Sequence, residues 1–151
     1  MKHTTKALFI LMMISLFACN SSKKTTDGAP SSNYEILYQQ EYGGQSERHY
    51  QVIKTKEDYQ KALSEGAITE DQKNDLAKVD FSQYVIAVLH AGTKNTGGYD
   101  IGVASVRVDG ETTYVVVDEI GPKPGENVTM ALTNPYCIVL LDKNERFVFE
   151  Y

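Results

Sequence analysis

The chain has 151 residues, with 20 Asp and Glu against 15 Lys and Arg and a formal net charge of −5. That balance excludes the basic face that nucleic acid requires and disfavours adsorption to anionic lipid. Once the terminal segments are set aside, the length allows one small domain.

Lys2 and Lys6 flank the start of an 11-residue apolar run, ALFILMMISLF. A bilayer-spanning helix needs about 20 such residues, so the run reads as the core of a signal peptide. It ends in LFAC, with Leu16 three residues before Cys19 and Ala18 directly ahead of it. This resembles the bacterial lipobox, in which the cysteine thiol is acylated and becomes the new N-terminus. The expectation is a lipoprotein signal peptide over residues 1–18 and lipidation at Cys19. Several acyl chains, at about 0.8 kcal/mol per buried CH₂, would hold a domain to a membrane. Residues 19–33 follow as a flexible tether. They are dominated by Ser, Thr, Lys, Gly and Pro, which bury too little surface to offset the entropy of ordering. Removing Lys2 and Lys6 leaves 13 basic against 20 acidic residues, a net charge of −7. The expected location is the bacterial cell envelope, lipid-anchored and facing the periplasm, with no membrane contact except through the lipid.

The folded part is expected over residues 34–151. YEILYQQ (34–40) and RHYQVI (48–53) read as strands separated by EYGGQSE, and together suggest a hairpin. Thr55 opens a helix with Asp58 in the place of a capping-box acid. Tyr59, Ala62 and Leu63 share one face of it, and Gly66 ends it. Thr69 is placed to cap a second short helix. QYVIAVLHA (83–91) is almost wholly apolar, as befits a central strand buried on both faces. Residues 99–108 alternate, with Ile101, Val103, Ser105 and Arg107 on one face. Asp109-Gly110 marks a hairpin turn, and residues 112–120 return. GPKPGEN (121–127) is a loop, residues 128–132 a further short strand, and residues 133–141 and 146–151 a closing hairpin. The sum is a small α+β domain, a mostly antiparallel sheet with one or two short helices.

The stretch GTKNTGGYD (92–100) has the first glycine spacing of a phosphate-binding loop. Gly98 and Tyr99 stand where that loop needs Lys and Ser or Thr, and no helix follows. It reads instead as a hairpin tip, with Gly97 and Gly98 permitting the turn.

On these residues the chain resembles a family. Asp80-Phe81, VIAVLHAGTKNTGGYDIGV (85–103), GPKPGENV (121–128) and TNPYCIVLL (133–141) are similar to the C-terminal domain of the PrcB-like proteins, named for a protease complex subunit. The specific part is G-x-K-x-T-G-G-Y, met by Gly92, Lys94, Thr96, Gly97, Gly98 and Tyr99. The likeness spans residues 80–149. It implies a secreted or lipid-anchored accessory protein that associates with a protease or stabilises it, and it supplies no catalytic residues.

The residues themselves offer little chemistry. Cys137 lies in an apolar run and reads as a buried thiol. His49 and His90 are far apart in sequence with no local ligand partner, and each reads as a satisfied strand histidine or a surface one. Asp118 and Glu119 face opposite sides of a strand and form no acid/base pair. No cofactor, metal or nucleic acid partner is expected. The reading is a non-catalytic, protein-binding accessory module. Its partner-binding residues are Lys94, Asn95, Tyr99, Lys123 and Pro124, with Gly97 and Gly98 shaping the turn. Two alternatives stay open: a protease inhibitor that uses the proline-rich loop, and a small envelope hydrolase built on His90 with Cys137 or a carboxylate.

Overall fold

The computed structural model describes residues 33–151; the segment expected to be a signal peptide and the expected lipidation site at Cys19 lie outside them. The elements in order are β1 (Tyr34–Gln40), β2 (Arg48–Ile53), α1 (Lys56–Ser64), α2 (Glu70–Leu76), β3 (Tyr84–Ala91), β4 (Asp100–Asp109), β5 (Thr112–Ile120), β6 (Tyr136–Asp142) and β7 (Arg146–Glu150). They form two sheets. One is antiparallel in the order β1-β6-β3-β2, and the other runs β4-β5-β7. The result is a small α+β domain in which, among the described residues, the one parallel pairing is β5 with β7.

The arrangement follows from which strands are apolar on both sides. Of β3, only Tyr84 is exposed, and β6 is buried over most of its length. Burying both faces needs a layer on each side. On one side lie the helices, where Tyr59, Ala62, Leu76 and Phe81 pack on Ile53, Ile86, Val88 and Ile138. On the other lies the second sheet, with Ile101, Val103, Val106, Val115 and Val117 against Val85, Ala87, Leu89, Cys137 and Val139.

This central pair corrects three expectations. β1 and β2 do not form a hairpin; largely exposed or half-buried, they take the two outer edges, β1 beside β6 and β2 beside β3. β6 and β7 do not form one either. Both edges of β6 are already taken by β1 and β3, so β7 crosses to the second sheet, where Phe147 and Phe149 cover the inter-sheet core. For the same reason residues 92–99 are not a hairpin tip. β3 lies between β6 and β2, and the chain must leave its sheet to start β4.

Two further differences are local. A bulge between Val103 and Ser105 leaves Ala104 without a partner across β5. It shifts the alternation, so Val106 joins Ile101 and Val103 in the core while Ser105 is exposed. Residues 128–132 form no strand; the nearest pairing is the single bridge of Lys94 with Thr133.

The helix ends follow their sequence signals. Thr55 Oγ1 accepts from Asp58 N at 3.0 Å, while the Asp58 carboxylate reaches back to Lys54 N at 3.2 Å, one residue further than a capping box requires. Gly66, at φ +72, ends α1. In α2 Gln72 Oε1 accepts from Thr69 N at 3.1 Å. Gly110, at φ +55, makes the two-residue turn between Asp109 and Thr112.

Candidate functional site

Three segments meet where β6 begins and β1 ends: residues 41–47, 92–99 and 121–135. Backbone groups in a connection must find partners, and here they find one another. Lys94 N donates to Thr133 O at 2.8 Å, and Thr133 N to Lys94 O at 3.1 Å. Gly97 N donates to Thr129 O at 3.0 Å, and Thr93 N to Ser46 O at 3.0 Å. Asn134 N donates to Glu41 O at 3.1 Å, and Gly44 N to Asn134 O at 2.9 Å. Side chains add to the weave. Gly98 N donates to Glu41 Oε1 at 2.7 Å, and Thr133 Oγ1 to Thr96 O at 3.0 Å.

Two glycines are required by this closeness. A Cβ at Gly97 would collide with the Thr129 hydroxyl and lie 2.8 Å from Glu41 Oε1. Gly98 has φ +81 and faces Val128 and Pro122. Gly121 in turn lies under the Tyr99 ring, where a Cβ would sit 3.1 Å from the ring. The glycine-rich turn and the proline-rich loop therefore touch through Pro122–Gly98 and Gly121–Tyr99, as one end of the domain.

The residues named from sequence divide into two groups. Asn95, Lys123 and Pro124 are exposed, the last two beside a turn closed by Glu126 N donating to Lys123 O at 3.0 Å. Lys94 turns inward. Its Nζ is 3.2 Å from Glu119 Oε2, which Arg48 also contacts at 2.7 Å, and it lies 5.5 Å from the Tyr99 ring centroid. At 18% side-chain exposure, Lys94 holds the turn to β5. Tyr99 is half-buried, Gly97 buried and Gly98 exposed.

Sequence reasoning missed the apolar members of this end. Met130 is 88% exposed, Leu132 66% and Tyr42 50%. Residues 128–132 read as a strand, with Val128, Met130 and Leu132 at alternate positions, and no local signal marks them as a loop. Glu41 and Glu119, whose partners lie more than 20 residues away, carry no local signature.

The two histidines meet in the fold. His49 and His90 face each other across β2 and β3 and stack with ring centroids 4.8 Å apart. His90 is 1% exposed, and its Nδ1 accepts from Gln45 N at 3.1 Å. The proton of the neutral ring is therefore on Nε2, which has no hydrogen-bond partner among the described residues. Burial, with a smaller contribution from His49, pushes the pKa of His90 down to about 4. Leu89 and Cys137 pair on the face toward the second sheet, while His90 and Tyr136 pair on the helix face. His90 and Cys137 thus lie on opposite sides of one sheet, and burial pushes the Cys137 thiol up to about 12. That arrangement makes neither a thiolate nor a Cys–His pair. No group of three or more His, Cys, Asp or Glu side chains among the described residues is placed to hold a metal ion.

Away from the woven end, β1 and α2 border a groove of about 510 Å³ lined by Leu37, Tyr38, Leu76, Val79, Tyr84 and Leu140. Of its two acids, Asp75 and Asp80, Asp75 is tied to Tyr38 and Lys78.

Residues 85–142 match the family described as PrcB C-terminal, and this part of the chain is similar to that family. The match runs from β3 through β6 and includes two of the three woven segments. No curated protein and no solved structure matches the chain.

Two predictions follow from the geometry. Gly97→Ala should cost roughly 1–3 kcal/mol by overpacking against Thr129 and Glu41, read as a lower urea midpoint. The depressed His90 pKa means that the unfolded chain takes up a proton the folded one refuses. The stability from keeping His90 neutral is full above the ordinary value of 6.5 and is lost as pH falls from there toward about 4. Urea midpoints should therefore decline from pH 6.5 to about 5, a window above most carboxylate titration. In His90→Gln that decline should be largely absent.

Proposed function

We propose that the chain is a non-catalytic envelope lipoprotein, an accessory module that binds a protein partner through the woven loop end, the partner being a protease or a protease complex. The observation that carries this reading is the PrcB C-terminal match, because it includes the glycine turn and the proline-rich loop that the structure knits together. Recognition surfaces commonly consist of loops held on a rigid scaffold, and these loops are fixed by backbone bonds to a doubly buried sheet. The separation of His90 from Cys137 weighs against the hydrolase alternative.

Polarity of the domain supports the same reading. Tyr34 pairs with Leu141 and Gln40 with Tyr136. The tether would therefore join β1 at the end remote from the woven loops, about 20 Å away along the strand. The loops then face outward from the anchored side.

Anchoring and association are tested separately. Cys19→Ser should move the protein from the membrane fraction to the soluble fraction on cell fractionation; retention in the membrane would overturn the lipid anchor. Crosslinked pull-down from the native envelope should enrich a protease with the wild type. Asn95→Arg with Lys123→Glu, a pair of exposed changes, should lower that enrichment by about tenfold, or ~1.4 kcal/mol. Absence of any specific protein with either bait would count against the accessory-module reading.

A further inference from the structure

We propose that His90 is an acid-operated latch on the woven end: a proton taken up at its Nδ1 displaces Gln45 N and frees residues 41–47 from the two segments they hold. This rests on the protein-binding reading above and supplies a regulation for it.

The latch is a backbone bond that only a neutral ring can accept. Nδ1 of His90 accepts from Gln45 N at 3.1 Å. Gln45 lies in the connection between β1 and β2, and His90 lies on the doubly buried β3. An imidazolium donates from both nitrogens and accepts at neither. In the charged ring a second N–H would face the Gln45 N–H, and the bond is lost.

The surroundings of the ring give a charge nothing to offset it. His90 is 1% exposed, and its Nε2 has no hydrogen-bond partner among the described residues. From β2 the His49 ring stacks on it at 4.8 Å, and from β6 the Tyr136 ring lies 6.2 Å away. The Tyr136 hydroxyl accepts from Gln72 of α2 and donates to Gln40. Asp71 of α2 acts on Tyr136 and not on His90. The end of α1 contributes a backbone carbonyl, Glu65 O, which accepts from Gln45 Nε2 at 3.4 Å. On the 41–47 segment itself Glu41 is committed through Oε1 to Gly98 N, and Glu47 is exposed. Arg48, beside His49, is paired with Glu119. The one charge that acts on His90 is that of His49, which has the same sign. A protonated His90 must therefore reach water. β2, β3 and β6 are held by their ladders, so the irregular 41–47 segment is the cover that yields.

Its release passes directly to the partner-binding end. The same segment supplies Glu41 O to Asn134 N, Ser46 O to Thr93 N and Glu41 Oε1 to Gly98 N, and its Gly44 N donates to Asn134 O. When it lifts, the turn that carries Asn95 and the segment before β6 both lose partners.

The direction in pH follows from linkage. Burial, with a smaller contribution from His49, lowers the pKa of the closed ring to about 4, while a ring opened to water returns toward 6.5. The closed end is fully favoured above 6.5 and loses ground as pH falls toward 4. Between about pH 7.5 and about pH 5 the opening constant should rise at least about tenfold.

The test is amide hydrogen exchange by NMR on the full chain in detergent, corrected for the intrinsic pH dependence of exchange. Over that pH interval protection at Gly44, Gln45 and Thr93 should fall at least about tenfold. Their exchange in acid should be insensitive to low urea, as for a local opening, while the ladder amides of β5 exchange more slowly and respond to urea. His90→Gln, which keeps an acceptor but does not titrate, should flatten the fall. The wild type alone gives a second reading: the His90 ring and the Gln45 amide should titrate with one midpoint, below 6.5. Protection that does not change with pH, a full-sized fall in His90→Gln, or a His90 titration that leaves Gln45 unmoved would overturn the latch. So would equal protection and equal urea dependence at the three amides and in β5, which would mean unfolding of the whole domain. Photocrosslinked capture of the envelope partner should fall in acid more for the wild type than for His90→Gln. Equal falls would overturn the regulatory role. No partner captured at either pH, with exchange as expected, would overturn the accessory-module reading and leave the latch standing.

Discussion

The pairing of β3 with β6 is the constraint on which the rest depends. Both strands are apolar on both faces, so neither can border water on any side. That fixes them at the centre of a sheet and demands a helical layer on one side and a second sheet on the other. The other elements are placed by what this pair leaves available. β1 and β2 take the outer edges, and β4, β5 and β7 become the covering sheet. The two short helices close the remaining face through Tyr59, Ala62 and Leu76. The connections of the pair must run over the ends of the sandwich, and at one of those ends two of them tie together with the β1–β2 connection.

Much of the fold was legible because short-range signals agreed with the outcome. Every strand span except the expected one over residues 128–132, the Thr55 and Thr69 starts, the Gly66 stop and the Asp109-Gly110 turn came from local chemistry, which neighbouring residues suffice to decide. What failed was pairing. A hairpin is the economical guess for two strands adjacent in sequence, yet β1–β2 and β6–β7 both refuse it. The reason lies in competition for the edges of β3 and β6, which no local window contains. The bulge at Ala104 escaped for a similar reason. Its sequence offers a plausible unbroken alternation, and only the packing of Val106 against the first sheet selects the shifted one.

The candidate site shows the same division. The glycines were readable as turn formers, and their closeness to Tyr99 and the proline-rich loop follows from contacts across long sequence distances. Lys94 illustrates the limit. A lysine in a polar turn looks free, but the carboxylate that engages it lies 25 residues away on β5. The stacked histidines were likewise invisible, because their facing positions depend on the register of β2 against β3. Met130 and Leu132 misled for the same reason, since their spacing reads as a strand and only the fold shows that residues 128–132 form none.

The route of β7 has a consequence for how the chain acquires its structure. This strand lies parallel to β5 and packs Phe147 and Phe149 between the sheets, while β1, the first strand, needs β6 to pair. Both sheets are thus completed only by segments near the C-terminus. Contacts between distant parts of a chain form late, after the entropy of closing large loops has been met. A nascent chain missing its last residues has no covered inter-sheet core to settle into. The topology itself holds back collapse of a partial chain until β6 and β7 are present to pair.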